Sequence, residues 1–247
     1  HPCPSVWAPL LPRPRGVGRG VRLNPPAILD GRPVERISAY LFHAGGDEDP
    51  ARLQANADKS FQGSIVLGMG FTFDDTDTKG VASSLDEMRR LIERDPRNAE
   101  RIFPYIGGEE VNDSPTHAHH RYVINFADFP LRRAELGKRW AEAEMTERSQ
   151  WLRTGIVPLD YPEPVAADWP ELLEIVERKV KPQRDQDNRE VRKRFWWRFG
   201  ETTPALFAAI LGLERVLVAC QTSRTQAFTF LSAAMVFSHK LVVFPYD

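Results

Sequence analysis

The sequence predicts an α+β fold in which a mixed or antiparallel sheet is flanked by helices. Short runs of alternating or β-branched apolar residues indicate strands in the first half and at the end of the chain, and longer runs with helical spacing indicate helices. Runs of both kinds in one chain define the α+β class. The 247 residues, 42% of them hydrophobic, suffice for one large domain or two small ones with a real core.

The start of the chain is rich in proline and arginine. Eight prolines fall within residues 1–33. Since proline removes the backbone donor that a helix interior or a central strand needs, we expect an extended arm over 1–33 and a folded domain over 34–247.

The run "SIVLGMGFTF" alternates large apolar residues with small ones and therefore predicts a strand. One face of this strand would carry Ile65, Leu67, Met69, Phe71 and Phe73. The glycines on the other face allow a backbone or a ligand to come close, and internal packing is the commoner reason for such a pattern.

Helices are predicted from apolar stripes and from residues with capping-box spacing. "SLDEMRRLIERDP" has Ser84 and Glu87 at this spacing, and "DWPELLEIVERKV" has Asp168 and Glu171. Residues 130 to about 153 are rich in Arg, Glu and Ala and predict a further helix, so that the helical part covers about 130–200. "RYVINF" predicts a half-buried strand, and residues 214–247 contain three short strand-like runs.

The net charge of −1 conceals a strongly basic stretch. Between Arg178 and Arg198 there are nine Lys or Arg residues against Asp185, Asp187 and Glu190, a local net charge of +6. Such a stretch favours docking on phosphates through part of the surface, although a solvated helix face is an equally common explanation. Within it, "VRKRFWWRFG" offers Lys193, Arg194 and Arg198 for phosphates, while its aromatic residues are expected mainly in the core.

No apolar run approaches the ~20 residues that cross a bilayer. A secretory signal is not recognisable at the start, and Cys3 and Cys220 are the two cysteines, of which Cys220 is expected in the core. We therefore expect a cytoplasmic protein without a membrane partner or a disulfide framework.

Three histidines lie just before the strand "RYVINF". On an extended chain His117 and His119 would point to the same side and could share a zinc ion, with His120 beside them. A fourth ligand is not apparent, so loop histidines that bond to backbone or phosphate are the favoured interpretation of His117 and His119.

Two adjacent glutamates and an asparagine follow the double glycine in "PYIGGEEVN". Glu109 and Glu110 would point to opposite faces of an extended chain, which does not suit a shared-proton carboxylate pair. Either glutamate suits the amino group of cytosine at a groove edge, and Asn112 suits adenine. Helix capping or pairing with an arginine is the structural alternative for the glutamates.

Motifs of common catalytic centres are not apparent. "NPPA" at Asn24 to Ala27 has alanine where an amino-methyltransferase needs an aromatic residue to stack on an extruded base, and no glycine-rich S-adenosylmethionine loop precedes it. We therefore expect that this chain alone is not catalytic and binds no cofactor.

Four segments carry a resemblance to a known family, and they occur in this order: "SFQGSIVLGMGFTFD", "RIFPYIGGEEVNDSPTHAHHRYVINF", "WPELLEIVERKVKPQRDQDNREVRKRFWWRFG" and "ERVLVACQTSRTQAFTFLSAAMVFSHKLVVFPYD". Over about residues 29–247 the chain resembles the C-terminal half of large type II restriction-modification DNA methyltransferases. Within that family it resembles N6-adenine methylases of the type IIG/IIL class and of phage-defence operons such as DISARM.

The resemblance implies a target recognition domain whose methyltransferase module, with its S-adenosylmethionine site, lies upstream. It also implies that "TSR" followed by "FTFL" faces DNA, which makes Ser223 and Arg224 candidate DNA contacts. The predicted function is sequence-specific recognition of double-stranded DNA for an adenine-N6 methyltransferase. The predicted contacts are Glu109, Glu110, Asn112, His117, His119, Lys193, Arg194, Arg198, Ser223 and Arg224.

Two alternatives from other classes stay open at this point. A metal-dependent hydrolase would use His117, His119, His120 and Glu109, on the density of these residues alone. A protein-docking module that has lost its DNA function would be consistent with the near-zero net charge.

Overall fold

The computed structural model describes residues 27–38, 41, 57–224 and 227–246, and the chain divides into two compact units, His1–Leu53 and Gln54–Asp247. In the first unit, β1 (Ala27–Leu29) pairs antiparallel with β2 (Arg32–Val34). The described part of the predicted extended arm, residues 27–33, thus belongs to a hairpin, and residues 1–26 lie outside the described residues.

The turn between β1 and β2 explains why a proline-rich stretch forms a hairpin. Asp30 and Gly31 have φ angles of 50° and 76°, both left-handed. Asp-Gly is the dipeptide that favours a two-residue hairpin turn with two positive φ angles. Pro33 is tolerated because this is a two-stranded ribbon and every strand in it is an edge strand.

The second unit contains short strands and short helices in irregular order. The strands are β3 (Phe61–Gln62), β4 (Thr72–Phe73), β5 (Ile102–Ile106), β6 (Arg121–Ile124), β7 (Arg132–Ala134), β8 (Ile156–Pro158), β9 (Arg215–Cys220), β10 (Phe228–Ser232), β11 (Val236–Phe237) and β12 (Leu241–Phe244). The helices are α1 (Leu85–Arg94), α2 (Gly108–Asp113), α3 (Met145–Thr154), α4 (Pro170–Lys179), α5 (Lys181–Arg184), α6 (Glu190–Arg194) and α7 (Pro204–Ile210).

Two four-stranded sheets organise this unit, and they confirm the predicted α+β class with mixed and antiparallel sheets. One is mixed, in the order β11-β5-β6-β4, with β11 parallel to β5 and the other pairs antiparallel. The other is antiparallel throughout, in the order β10-β9-β12-β3. A parallel pair, β7-β8, stands apart from both sheets.

Each large sheet has its own hydrophobic core. The mixed sheet packs with α1, α4 and the "FWW" segment around Phe71, Leu172 and Trp197, which are at most 1% exposed. The antiparallel sheet packs one face on α2 and α7 around Val218, Phe237 and other apolar residues. The core placement predicted for Trp196, Trp197 and Phe199 is thereby confirmed, and Cys220 packs at the margin of the second core.

The two helices predicted from apolar stripes are confirmed as α1 and α4. Ser84 caps α1 as predicted, because its hydroxyl accepts a hydrogen bond from the backbone N–H of Glu87. The predicted cap of α4 is wrong, since the cap position is Trp169 and Pro170 is the first helical residue. Asp168 instead accepts from the backbone N–H of Val165, in a 3₁₀ turn before the helix.

The helix predicted over residues 130–153 is wrong for its first half. Residues 132–134 form β7, whose partner is β8, and the helix α3 begins only at Met145. Gly137, with φ 74°, adopts a left-handed conformation that interrupts any helix at this point. The strand pairing therefore overrides the intrinsic helix preference of the Arg, Glu and Ala residues.

The strand predicted over "SIVLGMGFTF" is wrong for most of its length. Ser64 and Ile65 make isolated bridges, a 3₁₀ turn covers Met69–Phe71, and only Thr72–Phe73 belong to a strand of a sheet. The alternation fails because Leu67 is exposed and Val66 is buried. Positive φ angles at Leu67 (54°) and Gly68 (134°) turn the chain there and reverse the direction of the side chains.

The predicted close approach at the glycines of this run occurs at Gly70, where α4 ends. A Cβ atom at Gly70 would lie 2.8 Å from Cβ of Lys179 and 2.9 Å from Cγ2 of Val180. Internal packing, the commoner explanation, is therefore confirmed for Gly70.

Gly70→Ala should lower the free energy of unfolding by about 1–3 kcal/mol, because the added methyl group has no space and α4 must shift. Denaturant titration of the purified chain measures this loss. The matched control is Gly108→Ala, where the new Cβ would meet Lys240 Cβ at an ordinary 3.6 Å and the change should stay within about 0.5 kcal/mol. Equal losses in the two variants would contradict the packing explanation.

The strand predicted at "RYVINF" is confirmed as β6, but it is more deeply buried than expected. It lies between β5 and β4, and both Val123 and Ile124 are at most 1% exposed. Its two faces are therefore both covered.

In the described parts of the chain, no helix is long and apolar enough to cross a membrane.

Candidate functional site

The segment "GEEVND" forms the short helix α2 directly after β5, whereas the sequence analysis considered Glu109 and Glu110 on an extended chain. Glu110, which is 4% exposed, stabilises this connection. Its Oε2 accepts from the backbone N–H of Gly107 at 3.0 Å, and its Oε1 accepts from Nε of Arg121 at 2.9 Å and from Nη2 of the same arginine. The carboxylate therefore joins the start of α2 to β6.

The two glutamates of this helix have different surroundings. Glu109 is exposed, whereas both oxygens of Glu110 are occupied by Arg121 and Gly107. A direct base contact by Glu110 would require breaking a buried ion pair, so Glu109 is the glutamate that can meet a partner. From the sequence, pairing with an arginine was a structural alternative for either glutamate. In the structure this alternative applies to Glu110.

An open cleft lies where the end of α2 meets the loop after β9. It is lined by Asn112 and Asp113 from α2 and by Thr222, Ser223 and Arg224 from the loop. Asn112, Ser223 and Arg224 are predicted site residues from two segments about 110 positions apart, and the fold brings them together. Asp113 and Thr222 were missed, and only their adjacency to Asn112 and Ser223 could have pointed to them.

A hydrogen bond between the two segments orients the amide of Asn112. Its Nδ2 donates to the carbonyl oxygen of Thr222 at 3.3 Å. A carboxamide has two N–H donors and one acceptor oxygen, so one donor and Oδ1 remain for another partner. This donor and acceptor pair matches N7 and N6 of adenine.

Cys220 ends β9 just before this loop. Its thiol donates to the carbonyl oxygen of Gly108 at 3.5 Å, and burial raises the pKa of the thiol, so it is neutral near pH 7. The contact ties the start of α2 to the strand that leads into Arg224. Cys220 therefore acts as a packing residue between β9 and α2.

The histidines do not form a common ligand set. His117 has a left-handed backbone with φ 50°, so the chain here is not the extended segment that a zinc shared with His119 requires. His119 contacts the ring of Tyr122 edge to face at 5.2 Å, and Nδ1 of His120 lies 3.6 Å from Oε1 of Glu110. Within the described ranges, no three His, Cys, Asp or Glu side chains could hold a metal ion.

Much of the basic stretch is already paired with carboxylates. Arg178 lies 3.7 Å from Glu87, and the other pairs are Lys181 with Glu177, Arg192 with Asp187, and Lys193 with Glu190 at 2.7, 3.3 and 2.9 Å. Arg194 is exposed at the end of α6. Of the three cations predicted to bind phosphates, Arg194 is thus the most accessible, and Lys193 is shared with Glu190.

Arg198 faces the protein interior. Its Nε and Nη2 donate to the carbonyl oxygen of Phe129 at 3.0 and 2.8 Å, and its guanidinium lies 4.4 Å from the ring centroid of Phe195. Burial lowers the pKa of this guanidinium. The phosphate contact predicted for Arg198 would have to compete with these interactions.

Comparisons with known proteins give only weak likeness. No family model matches this chain, and no curated protein does. Among solved structures, the chain is similar to the type IIL restriction-modification enzyme MmeI in complex with DNA, with 15% sequence identity and a TM-score of 0.43. The similarity covers 87% of this chain but 23% of the enzyme, and at this level it carries no argument about function.

Proposed function

We propose that this chain recognises the sequence of double-stranded DNA through the cleft of α2 and the β9–β10 loop. The observation that carries the proposal is the assembly of Asn112, Ser223 and Arg224 in one open cleft. The residue types suit base edges: a guanidinium matches O6 and N7 of guanine, and an oriented carboxamide matches adenine. Glu109, exposed on the same helix, suits the amino group of cytosine.

In this proposal the chain is the recognition part of a larger adenine-N6 methyltransferase of the restriction-modification class. Support comes from the ordered sequence resemblance, since the segments "PYIGGEEVN" and "TSR" that carry it are the segments that meet at the cleft. The methyltransferase module and its S-adenosylmethionine site belong to an upstream part of such an enzyme. Methyl transfer from labelled S-adenosylmethionine to mixed DNA by the purified chain alone would refute this assignment.

Phosphate contacts in this proposal are made by Arg194 and, after release from Glu190, by Lys193. Such contacts position the protein on the duplex without carrying sequence information. These contacts differ in effect from the base contacts of the cleft, because they contribute the same binding free energy on every DNA sequence.

Arg224→Ala should cost about 1–3 kcal/mol of binding free energy on the preferred duplex and leave binding to scrambled duplex nearly unchanged, because a base contact acts only at the cognate site. Titrations at two salt concentrations, on a duplex selected from a random pool and on a scrambled one, measure both effects.

The matched control for this prediction is Arg194→Ala. Removal of a phosphate contact should weaken binding to both duplexes together and lower the salt slope by about one. If the two variants lose affinity in the same proportion on both duplexes, Arg224 does not contact a base.

A further inference from the structure

The antiparallel sheet has a second face that its core does not use. Successive residues of a strand point to opposite faces, so the buried Val216, Val218 and Leu231 define the inner face. The register then places on the outer face Phe228 and Phe230 of β10, Leu217 and Ala219 of β9, and Val242 and Phe244 of β12. We call Phe228, Phe230 and Phe244 the aromatic face.

Two of the three rings of the aromatic face are unusually accessible for phenylalanine, and Phe244 is half-buried. Phe228 is 51% exposed and Phe230 is 47% exposed. In β9, Phe228 pairs with Ala219 and Phe230 pairs with Leu217. Because alanine is small, its side chain does not cover the ring of Phe228. Phe228 and Phe244 lie side by side with ring centroids 5.9 Å apart. Contiguous exposed apolar side chains of this kind mark binding surfaces.

The charge of this surface indicates which partner it fits. The guanidinium of Arg215 lies 4.4 Å from the ring centroid of Phe230 on the same face. The outward positions that the described register pairs contain no Asp or Glu. They are Gln62, Arg215, Leu217, Ala219, Phe228, Phe230, Ser232, Val242 and Phe244. Aromatic rings combined with an arginine plane are the groups on which unpaired nucleobases stack.

The aromatic face and the proposed DNA cleft are connected by one loop, the one between β9 and β10. The loop that carries Arg224 leaves β9 at Cys220, and β10 begins at Phe228, which pairs with Ala219. A duplex hides the faces of its bases in the stack, so flat exposed rings suit unpaired nucleotides.

We propose that the aromatic face, on the side of the sheet opposite to its core, binds the unpaired bases of single-stranded DNA by stacking. This site shares its ligand class, DNA, with the proposed function but uses different residues and a different strand state. Sequence preference is not expected, because every base has a π face.

The test measures fluorescence anisotropy of a labelled oligothymidine of about 12 nucleotides, a length within the range of such sites. The double variant Phe228→Ala and Phe230→Ala should bind it at least about tenfold more weakly, since each stacked base contributes roughly five- to a hundred-fold in affinity. The control Leu211→Ala removes an 85% exposed apolar side chain elsewhere and should leave binding unchanged.

Two conservative variants separate stacking from general hydrophobic contact. Phe230→Tyr keeps the ring and should retain binding, whereas Phe230→Leu keeps apolar area and should lose it. Equal binding by the Leu and Tyr variants, or an unchanged double variant with a normal unfolding transition, would overturn the proposal, as would absence of oligothymidine binding by the wild-type chain. A face that instead docks another protein would give this last result.

Failure of this site and failure of the proposed function have different signatures. Arg224→Ala should lose part of its discrimination between duplexes while keeping oligothymidine affinity, and the double phenylalanine variant should keep that discrimination and lose oligothymidine affinity. If the chain shows no duplex preference but binds oligothymidine through the phenylalanines, the proposed function fails and the aromatic face stands. If duplex preference persists and the phenylalanines have no effect, the aromatic face is refuted alone.

Discussion

Glu110→Ala should lower the free energy of unfolding by about 3 kcal/mol. Removal of one partner from a buried ion pair leaves the other charge uncompensated, which typically costs about 3–5 kcal/mol. The lower end is expected because the side chain of Arg121 is 17% exposed and can regain some water. The backbone N–H of Gly107 also loses its acceptor.

The control for this prediction is the neighbouring exposed glutamate. Glu109→Ala should change the free energy of unfolding by no more than about 0.5 kcal/mol, as is usual for surface positions. Urea titrations of both variants measure the difference. A loss at Glu110 no larger than that at Glu109 would show that the Arg121 pair does not stabilise the start of α2.

Trp197→Ala should be the most destabilising of these substitutions, at about 3–5 kcal/mol. The side chain is 1% exposed, packs edge to face on Trp196 and Phe195, and donates from Nε1 to the carbonyl oxygen of Phe129 at 3.0 Å. Gly155 lies against its ring, where a Cβ atom would come within 2.6 Å. The lost volume therefore opens a cavity between the "FWW" segment and the end of α3.

Chemical denaturation also measures this prediction, with Trp197→Phe and Leu211→Ala for comparison. Phenylalanine retains a buried aromatic ring and should recover more than half of the lost free energy of unfolding. The carbonyl oxygen of Phe129 loses the Trp197 donor, but it stays hydrogen-bonded because Arg198 also donates to it. Leu211, 85% exposed, should show almost no effect. A small loss for Trp197→Ala would mean that the first core can close around the missing side chain.

Local signals predicted the elements that local interactions stabilise. α1 has a capping serine and a full apolar stripe, and it forms as expected. The hairpin of residues 27–34 also had a local signal, Asp30-Gly31, which the proline content of the arm obscured. The run from Ser64 to Phe73 failed because two positive φ angles, at Leu67 and Gly68, break the alternation that predicts a strand.

Contacts between distant segments could not be predicted in the same way. The pairing of β7 with β8 stabilises residues 132–134 as a strand, although their composition favours a helix. The candidate site shows the same limit. Asn112, Ser223 and Arg224 were predicted singly, but their assembly depends on the hydrogen bond from Asn112 to Thr222 and on the packing of α2 against β9. Likewise, the buried ion pair of Glu110 could not be predicted from the sequence, because it depends on where the fold places Arg121.

Selection of duplexes from a random pool by the purified chain tests the central claim most directly. The proposed recognition function predicts that the wild-type chain enriches one short sequence, and that Arg224→Ala enriches the same sequence with one base pair relaxed. Enrichment of no sequence by a folded wild-type chain, or an identical motif for Arg224→Ala, would contradict the assignment of the cleft between α2 and the β9–β10 loop as the DNA-reading site.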